Sequence, residues 1–211
     1  MDVAVSARGR YQPSQELSVS MSDRARQSDA MILIVYAIRV DAAADEYEDW
    51  LRRVDCPFFN AAPGVAQYVN WKVAGGHKVF APNPYFDFLV MDGIASFDAV
   101  WLDPELNAFR RNWRKLWGIT TVKRDGSHAP AYLCGRVASA EMAWTPHVVL
   151  LPCGANDRLA GWDTWRIDRP LRGPSAPFAA FHVRFLAGAD EFARLDLAPD
   201  AAVLGESIAA P

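Results

Sequence analysis

Residues Tyr85-Phe86-Asp87-Phe88-Leu89-Val90-Met91 form an aromatic run that one acid interrupts. Aromatic and β-branched residues dominate the run, so the pattern predicts a β-strand. Side chains of a strand alternate between its two faces, and Asp87 therefore shares a face with Tyr85 and Leu89. An acid between apolar neighbours costs free energy unless it is hydrogen-bonded, and its pKa should rise. Asp87 therefore either faces water on an edge strand or lines an interior pocket.

The segments around this run predict a ferredoxin-like order of elements. The pattern indicates a strand, a helix, two strands and a helix, in chain order at residues 31–38, 44–54, 65–73, 85–91 and 103–118. The apolar stripe of the first helix consists of Ala44, Tyr47, Leu51 and Val54. A fourth strand comes either from Ile119–Lys123 or from Ala131–Val137. The order β-α-β-β-α-β is that of the split βαβ fold.

The C-terminal part of the chain has the element order of a second, degenerate copy. Strands are predicted at 147–153, 162–168, 178–186 and 201–204, with a short helix between the last two. We therefore predict a poorly ordered polar arm at 1–30 and a ferredoxin-like unit at 31–138. Residues 139–211 form either a second ferredoxin-like unit or a C-terminal extension. The predicted fold class is α+β.

A known family shares several features of the first half. The features are the stretch Cys56-Pro57…Ala62-Pro63-Gly64-Val65, the aromatic run, and the helix end Trp117-Gly118. Residues Met31 to Gly118 resemble the dimeric α/β-barrel superfamily, and within it the RedY/HapK-like proteins of prodiginine-type pigment pathways. The resemblance implies that two ferredoxin-like units close into one barrel, with helices outside and a ligand cavity inside. The two units would come from a homodimer or from one chain, and the family supplies no catalytic residues.

Composition and charge exclude several partners. The formal net charge of −3 gives no electrostatic footprint for nucleic acid. The basic cluster Arg110-Arg111-Asn112-Trp113-Arg114-Lys115 is typical of the solvated face of an amphipathic helix. Three cysteines, far apart in the sequence, fit a reducing compartment, and no apolar stretch has the length of a membrane span. We therefore expect a cytoplasmic protein that binds neither nucleic acid nor membranes, and the resemblance to the dimeric α/β-barrel superfamily implies a homodimer.

Glycine and histidine patterns indicate no cofactor. Gly75-Gly76 and Gly154 match neither the dinucleotide-binding pattern nor the phosphate-binding loop. The four histidines show no metal-binding spacing. The eight Trp residues supply packing area, and an aromatic fraction of 12% is typical of a protein that encloses a flat, apolar ligand. The sequence therefore predicts no cofactor, no metal, and a small aromatic or apolar ligand.

Strand alternation predicts which residues meet in the cavity. If the more apolar face of each strand packs against the helices, that face carries Phe86, Phe88 and Val90. The cavity is then lined by Tyr85, Asp87, Leu89, Tyr68 and Asn70. A carboxyl group in such surroundings can titrate near neutral pH, where it both accepts and returns a proton. The structural alternative is a polar seam whose members only satisfy one another.

Two histidines complete the predicted site. His77 lies in a glycine- and proline-rich loop that could form the barrel mouth. His182 shares a strand face with Arg184, so the pair either binds a carboxylate or phenolate or faces solvent. The predicted catalytic residues are Asp87, His77 and His182. The predicted substrate-binding residues are Tyr36, Tyr68, Asn70, Tyr85, Trp71 and Arg184.

These residues favour a cofactor-independent acid–base enzyme acting on an aromatic, largely apolar small molecule. The reaction would be of the lyase, isomerase or cyclase type, with Asp87 as the base or acid. Two alternatives remain open at this point. One is a non-catalytic carrier of a hydrophobic intermediate, and the other is a barrel-type monooxygenase.

Overall fold

The computed structural model of the chain describes residues 21–76, 80, 83–118, 129–140, 143–198 and 200–209. Within these residues the strands are β1 (Ala30–Tyr36), β2 (Val65–Gly76), β3 (Tyr85–Met91), β4 (Ala131–Ala138), β5 (His147–Cys153), β6 (Asp163–Arg172), β7 (Ala180–Leu186) and β8 (Val203–Ser207). The α-helices are α1 (Met21–Gln27), α2 (Ala44–Trp50), α3 (Cys56–Asn60), α4 (Phe97–Trp101) and α5 (Pro104–Leu116). A π-helical turn at Leu51–Asp55 joins α2 to α3, and 3₁₀ turns lie at Ile94–Ser96 and Ala189–Leu195.

The strands close into one antiparallel barrel in the order β1-β3-β2-β8-β5-β7-β6-β4. Strands β1 to β4 are neighbours in the ferredoxin-like order 4-1-3-2, and β5 to β8 repeat this order as 8-5-7-6. The pairs β2–β8 and β4–β6 join the two halves. The predicted α+β fold of the dimeric α/β-barrel type is confirmed, and here a single chain closes the barrel. The homodimer and the unit boundary at 138/139 stay predictions.

The barrel interior is filled with apolar side chains from both halves. Trp71 stacks on Phe86 with ring centroids 6.1 Å apart, and Trp144 packs on Phe185 at 4.6 Å. Gly205 makes room for this packing, because a Cβ atom there would lie 2.5 Å from Cζ of Phe86. Full burial of one such aromatic side chain stabilises the fold by about 2–3 kcal/mol.

The predicted assignment of the two faces of β3 is wrong. Phe86, Phe88 and Val90 belong to the interior cluster, and Asp87 and Leu89 lie on the outer face, under the helices. The more apolar face turns inward because strands surround the interior of a closed barrel on every side. A buried polar side chain finds few hydrogen-bond partners there. The outer face meets helices, which bring polar groups of their own.

The outer face of the first half is covered by α2, α3 and α5. Helix α5 begins as predicted, with Pro104 at its first position and the Asp103 carboxylate accepting a hydrogen bond from the Leu106 amide at 2.7 Å. The same face of the second half has no α-helix among the described residues. There the Ala189–Leu195 turn and the following loop pack against a smaller apolar cluster that includes Trp162.

Part of the predicted polar arm is ordered. Residues 21–27 form helix α1, whose Ala25 is buried in the interior cluster. Arg136 of β4 donates hydrogen bonds to the backbone carbonyls of Ala25 and Arg26. Residues 1–20 lie outside the described residues. Within the described part of the chain, every helix is too short and too polar to cross a bilayer.

Candidate active site

A cavity of about 150 Å³ lies between the outer face of the first-half sheet and the helices that cover it. Aromatic side chains form most of its wall, namely Tyr36, Tyr47, Phe59, Tyr68, Trp101, Phe109 and Trp113. Its polar groups are two carboxyls and three guanidiniums, from Asp55, Asp87, Arg110, Arg114 and Arg172. A cavity of this size accepts a small aromatic molecule.

Asp87 lies at the centre of a buried hydrogen-bond network. Its Oδ1 accepts hydrogen bonds from the Tyr36 hydroxyl at 3.0 Å and from Asn70 Nδ2 at 2.9 Å. Its Oδ2 accepts one from the Tyr68 hydroxyl at 2.8 Å. Register places these groups together, because β3 pairs Asp87 with Asn70 of β2 and Ile34 of β1. The carboxyl is 4% exposed and lines the cavity.

Asp55 is a second buried acid beside Asp87, and the sequence analysis missed it. The Asn70 amide bridges the two acids, since the same Nδ2 lies 3.1 Å from Asp55 Oδ2. A π-helical turn contains about one residue more than an α-helical turn. It therefore changes which of the following side chains face the core. Val54, predicted on the buried stripe, is 41% exposed, and Asp55 is 3% exposed. The available signal was the four-residue spacing of Tyr47, Leu51 and Asp55.

Both carboxyls titrate near neutral pH. Burial raises the pKa of Asp55 to about 7, against the opposing effect of hydrogen bonds from Tyr68 and Asn70. Burial raises the pKa of Asp87 to about 8, and the charge of Asp55 adds to the increase. Two acids this close titrate as a coupled pair. Near pH 7.5 the pair therefore holds about one proton, which suits a site that both removes and returns protons.

Two phenols and one indole connect Asp87 to helix α5. Trp113 Nε1 donates to the Tyr47 hydroxyl at 3.0 Å, and this hydroxyl donates to the Tyr36 hydroxyl at 3.1 Å. Burial raises the pKa of Tyr36, Tyr47 and Tyr68 well above the ordinary value. The phenols therefore remain neutral donors, and the chain of hydroxyls ends at Asp87.

Helix α3 fixes the position of Tyr68. The Asn60 side chain accepts from the Tyr68 amide at 2.8 Å and donates to the Tyr68 carbonyl at 2.9 Å. The Cys56 thiol lies 3.5 Å from the same carbonyl. Burial raises the pKa of Cys56 to about 11, so this thiol is not a nucleophile at neutral pH.

Three arginines form a basic side of the same cavity. Arg110 and Arg114 lie one turn apart on α5, and Arg172 is the last residue of β6. Arg110 donates to the Trp101 carbonyl at 3.1 Å and lies over the Trp101 ring at 4.5 Å from its centroid. Burial lowers the pKa of Arg172 to about 10, and the charges of Arg114 and Arg110 lower it further.

The structure brings four predicted site residues into one network and leaves the four other described ones outside it. Asp87, Tyr36, Tyr68 and Asn70 form one network. The Tyr85 hydroxyl points away from this network and lies 3.4 Å from the Glu48 carboxylate. Trp71, predicted to bind substrate, packs in the barrel interior on the opposite face of β2 from Tyr68 and does not line this cavity.

Of the two predicted second proton carriers, the structure describes only His182, which lies away from the site. His182 and Arg184 lie on β7, which is four strands from β3 in either direction around the eight-stranded barrel. His182 Nδ1 is 2.9 Å from Thr164 Oγ1, and the Arg184 guanidinium lies over the Trp162 ring at 5.8 Å. His77 lies outside the described residues. In the described part of the chain, no group of three or more acidic, histidine or cysteine side chains is placed to hold a metal ion.

The closed barrel with helices on its outer face has the dimeric α/β-barrel fold. Residues 30–122 match the family model described as REDY-like protein HapK. This segment contains both acids and all the helices that cover the cavity, and the match confirms the resemblance noted from the sequence. No curated protein matches the chain.

Two solved structures have the same fold. An anthrone oxidase-like protein is 12% identical with a TM-score of 0.51, over 90% of this chain and 93% of that one. A chlorite dismutase-like protein is 10% identical with a TM-score of 0.50, over 84% of this chain and 94% of that one. At these identities the likeness shows the fold alone.

Proposed function

We propose that the protein is a cofactor-independent acid–base enzyme that moves a proton on a small aromatic molecule. The reaction is of the isomerase, lyase or cyclase type. The observation that carries the proposal is the pair of buried carboxyls, Asp55 and Asp87, joined by one amide at the wall of an aromatic cavity. Paired acids with pKa values near neutrality are typical of general acid–base sites.

The proposed reaction has two proton transfers. An ionised carboxylate of the pair removes a proton from a ligand carbon next to a carbonyl group, and the C–H electron pair becomes an enolate. The enolate oxygen then accepts a hydrogen bond from a phenol of the network. Protonation of Asp87 weakens the hydrogen bonds that its carboxylate accepts from Tyr36 and Tyr68. One of these hydroxyls can then donate to the enolate oxygen. The carboxylic acid returns its proton to a different carbon, so the step needs no oxidant.

The energetics of the pair favour a functional role over a structural one. An acid whose pKa is raised on folding destabilises the folded protein wherever the acid is ionised. A seam that served only stability would be better built from neutral amides or hydroxyls, which carry no such cost. Two buried acids with raised pKa values beside a cavity are therefore explained by a function and not by packing.

The test is hydrogen–deuterium exchange of a carbon acid that fits the cavity. We would incubate 2-tetralone with the protein in D₂O near pD 7.5 and follow loss of its α-proton signals by NMR. The wild-type protein should accelerate exchange, and Asp87→Asn should remove at least about 100-fold of that acceleration. Asp45→Asn, an exposed acid in the first turn of α2, is the matched control and should exchange at the wild-type rate.

The same experiment separates the alternatives from the proposal. A carrier protein would bind 2-tetralone without accelerating exchange. A monooxygenase would consume oxygen with the probe, which an oxygen electrode measures directly, and the acid–base enzyme would not. Wild-type acceleration in Asp87→Asn, with an intact fold by circular dichroism, would rule out the role assigned to the pair.

A further inference from the structure

We propose that the ligand of this cavity is an aromatic anion whose carboxylate binds Arg110, Arg114 and Arg172. The inference rests on the cavity in the proposed function and adds the chemical class of its substrate. It also corrects the sequence-based expectation that the basic cluster on α5 only faces solvent. Arg110 and Arg114 line the cavity, and Arg111 and Lys115 of the same helix are exposed and lie outside its wall.

The three guanidiniums form no salt bridge with the described residues, although the charge of Asp103 opposes the lowering of the Arg110 pKa by burial. Arg110 and Arg172 donate hydrogen bonds to neutral oxygens, such as the bond from Arg172 Nε to the Ala129 carbonyl at 2.5 Å. Arg110 Nη2 is shielded from solvent and has no partner in the described part of the chain. Three like charges repel one another, and one bound anion would relieve that repulsion.

Arg110 is held ready for such a ligand. Its Nη1 donates to the Trp101 carbonyl at 3.1 Å and to Asn107 Oδ1 at 3.3 Å, and its Cζ lies over the Trp101 ring. A guanidinium fixed in this way loses little conformational entropy when it binds, and its fork of N–H donors matches a carboxylate. The built geometry, with free donors and a fixed guanidinium, is that of a carboxylate-binding arginine.

The two polar sets also orient the ligand. The acids Asp55 and Asp87 repel an anionic group, and the arginines attract it, so the anionic end lies at the arginines. The remainder of an aromatic ligand then extends along the aromatic wall toward the acid pair. The group that loses a proton is therefore expected at the opposite end of the substrate from its carboxylate.

The test compares benzoate with benzamide, which have the same shape and differ in charge. Quenching of tryptophan fluorescence at pH 7.5 reports binding, since Trp101 and Trp113 line the cavity. We expect the wild-type protein to bind benzoate at least about tenfold more tightly than benzamide, with the difference shrinking in 0.5 M salt. Arg114→Gln and Arg172→Gln should each reduce benzoate affinity several-fold and leave benzamide affinity unchanged.

Arg111→Gln is the matched control, because this exposed residue lies on the same helix outside the cavity wall. Arg114 is exposed at the cavity opening, so its variant should fold even if Arg172→Gln does not. Equal affinities for the two probes, binding of neither, or an unchanged preference in Arg114→Gln would each overturn the inference. A benzoate preference with normal proton exchange in Asp87→Asn would instead sink the proposed function and leave the ligand class standing.

Discussion

Asp87 in the first half of the barrel and His182 in the second half occupy equivalent positions. Asp87 is the third residue of β3 and His182 the third residue of β7, and each of these is an inner strand at the same place in the strand order of its half. Each side chain is hydrogen-bonded to the residue paired with it on the adjacent strand, Asn70 for Asp87 and Thr164 for His182. Both side chains point to the outer face of the barrel. The two halves thus place a titratable group at the same point of the same sheet order.

The two positions differ in what covers them. Two helical segments and a π-helical turn cover Asp87, and they supply Asp55, Tyr47 and Trp113 to its surroundings. No α-helix among the described residues covers His182. Its ring centroid lies 6.4 Å from that of Trp162. Burial raises the pKa of Asp87 and lowers that of His182, so each group is driven toward its neutral form. The comparison teaches that the sheet places the polar group, and the covering helices turn it into a site.

The largest expected effect separates the two positions by activity. Asp87→Asn should lower proton exchange of 2-tetralone by at least about 100-fold, because the reacting carboxyl is lost. His182→Gln, at the equivalent position, should exchange at the wild-type rate. Parallel NMR assays of the two variants measure the difference. A loss in His182→Gln equal to that in Asp87→Asn would break the comparison.

The second effect is a pair of opposite pH dependences in stability. The folded pKa of Asp87 lies above its unfolded value of about 3.9. Its stabilising contribution is therefore full below pH 4 and is lost as the pH rises through about 8. Asp87→Asn should gain about 2–5 kcal/mol in free energy of unfolding, relative to the wild type, between pH 4.5 and 8.5. Urea unfolding at both pH values measures this gain.

His182 should behave in the opposite sense. Its folded pKa is lowered, so its contribution to stability is present above about pH 6.5 and is lost as the pH falls through the folded pKa. His182→Gln should therefore become more stable relative to the wild type as the solution is acidified. Urea unfolding of His182→Gln at the same two pH values tests this, and an identical pH dependence of stability in both variants would contradict the assigned burial effects.

A smaller effect concerns the coupling within the acid pair. Asp55→Asn removes the neighbouring charge, so the pKa of Asp87 should fall from about 8 toward the value set by burial alone. Carboxyl ¹³C NMR titration of the variant and the wild type measures the change. Proton exchange should slow by about tenfold, since the pair no longer shares a proton near neutral pH. An unchanged titration of Asp87 would show that the two acids are not coupled.

The smallest effects come from the outer members of each network. Trp113→Phe removes the donor to Tyr47 and should cost about 1 kcal/mol of stability with a slight slowing of exchange. Thr164→Val removes the partner of His182 and should cost a similar amount with no change in exchange. Thermal unfolding and the NMR assay together distinguish the two. Slower exchange in Thr164→Val would link the second half to the site.

Strand alternation predicted that Tyr68, Asn70 and Asp87 share one face of the sheet, but it did not predict which face this is. Side chains two residues apart lie on the same face of a strand, so the pattern groups Tyr68 with Asn70. Neighbouring strands share a pleat, so Asp87 of the next strand lies on that face as well. The pattern is symmetric between the two faces of a sheet, so it cannot say which face turns inward. That choice depends on the second half of the barrel, whose side chains fill the interior only after closure.

The helical contributions were harder to predict for two separate reasons. The π-helical turn changes the phase within one turn, so a period of 3.6 residues assigns Val54 to the buried stripe and leaves Asp55 unnoticed. The arginines of α5 have the composition of a solvated face. Only the approach of Arg172 from β6 shows that Arg110 and Arg114 border a cavity.

Closure of the barrel by one chain has a consequence for folding during synthesis. The pairing of β2 with β8 places Trp71 opposite Ser207. This junction between the two halves of the barrel can form only after β8 has emerged from the ribosome. Until then β2 and β5 present unpaired edges, which are templates for association with other chains. Contacts so distant in sequence also slow folding. Nascent chains that stall before Val203 are therefore expected to need chaperone protection.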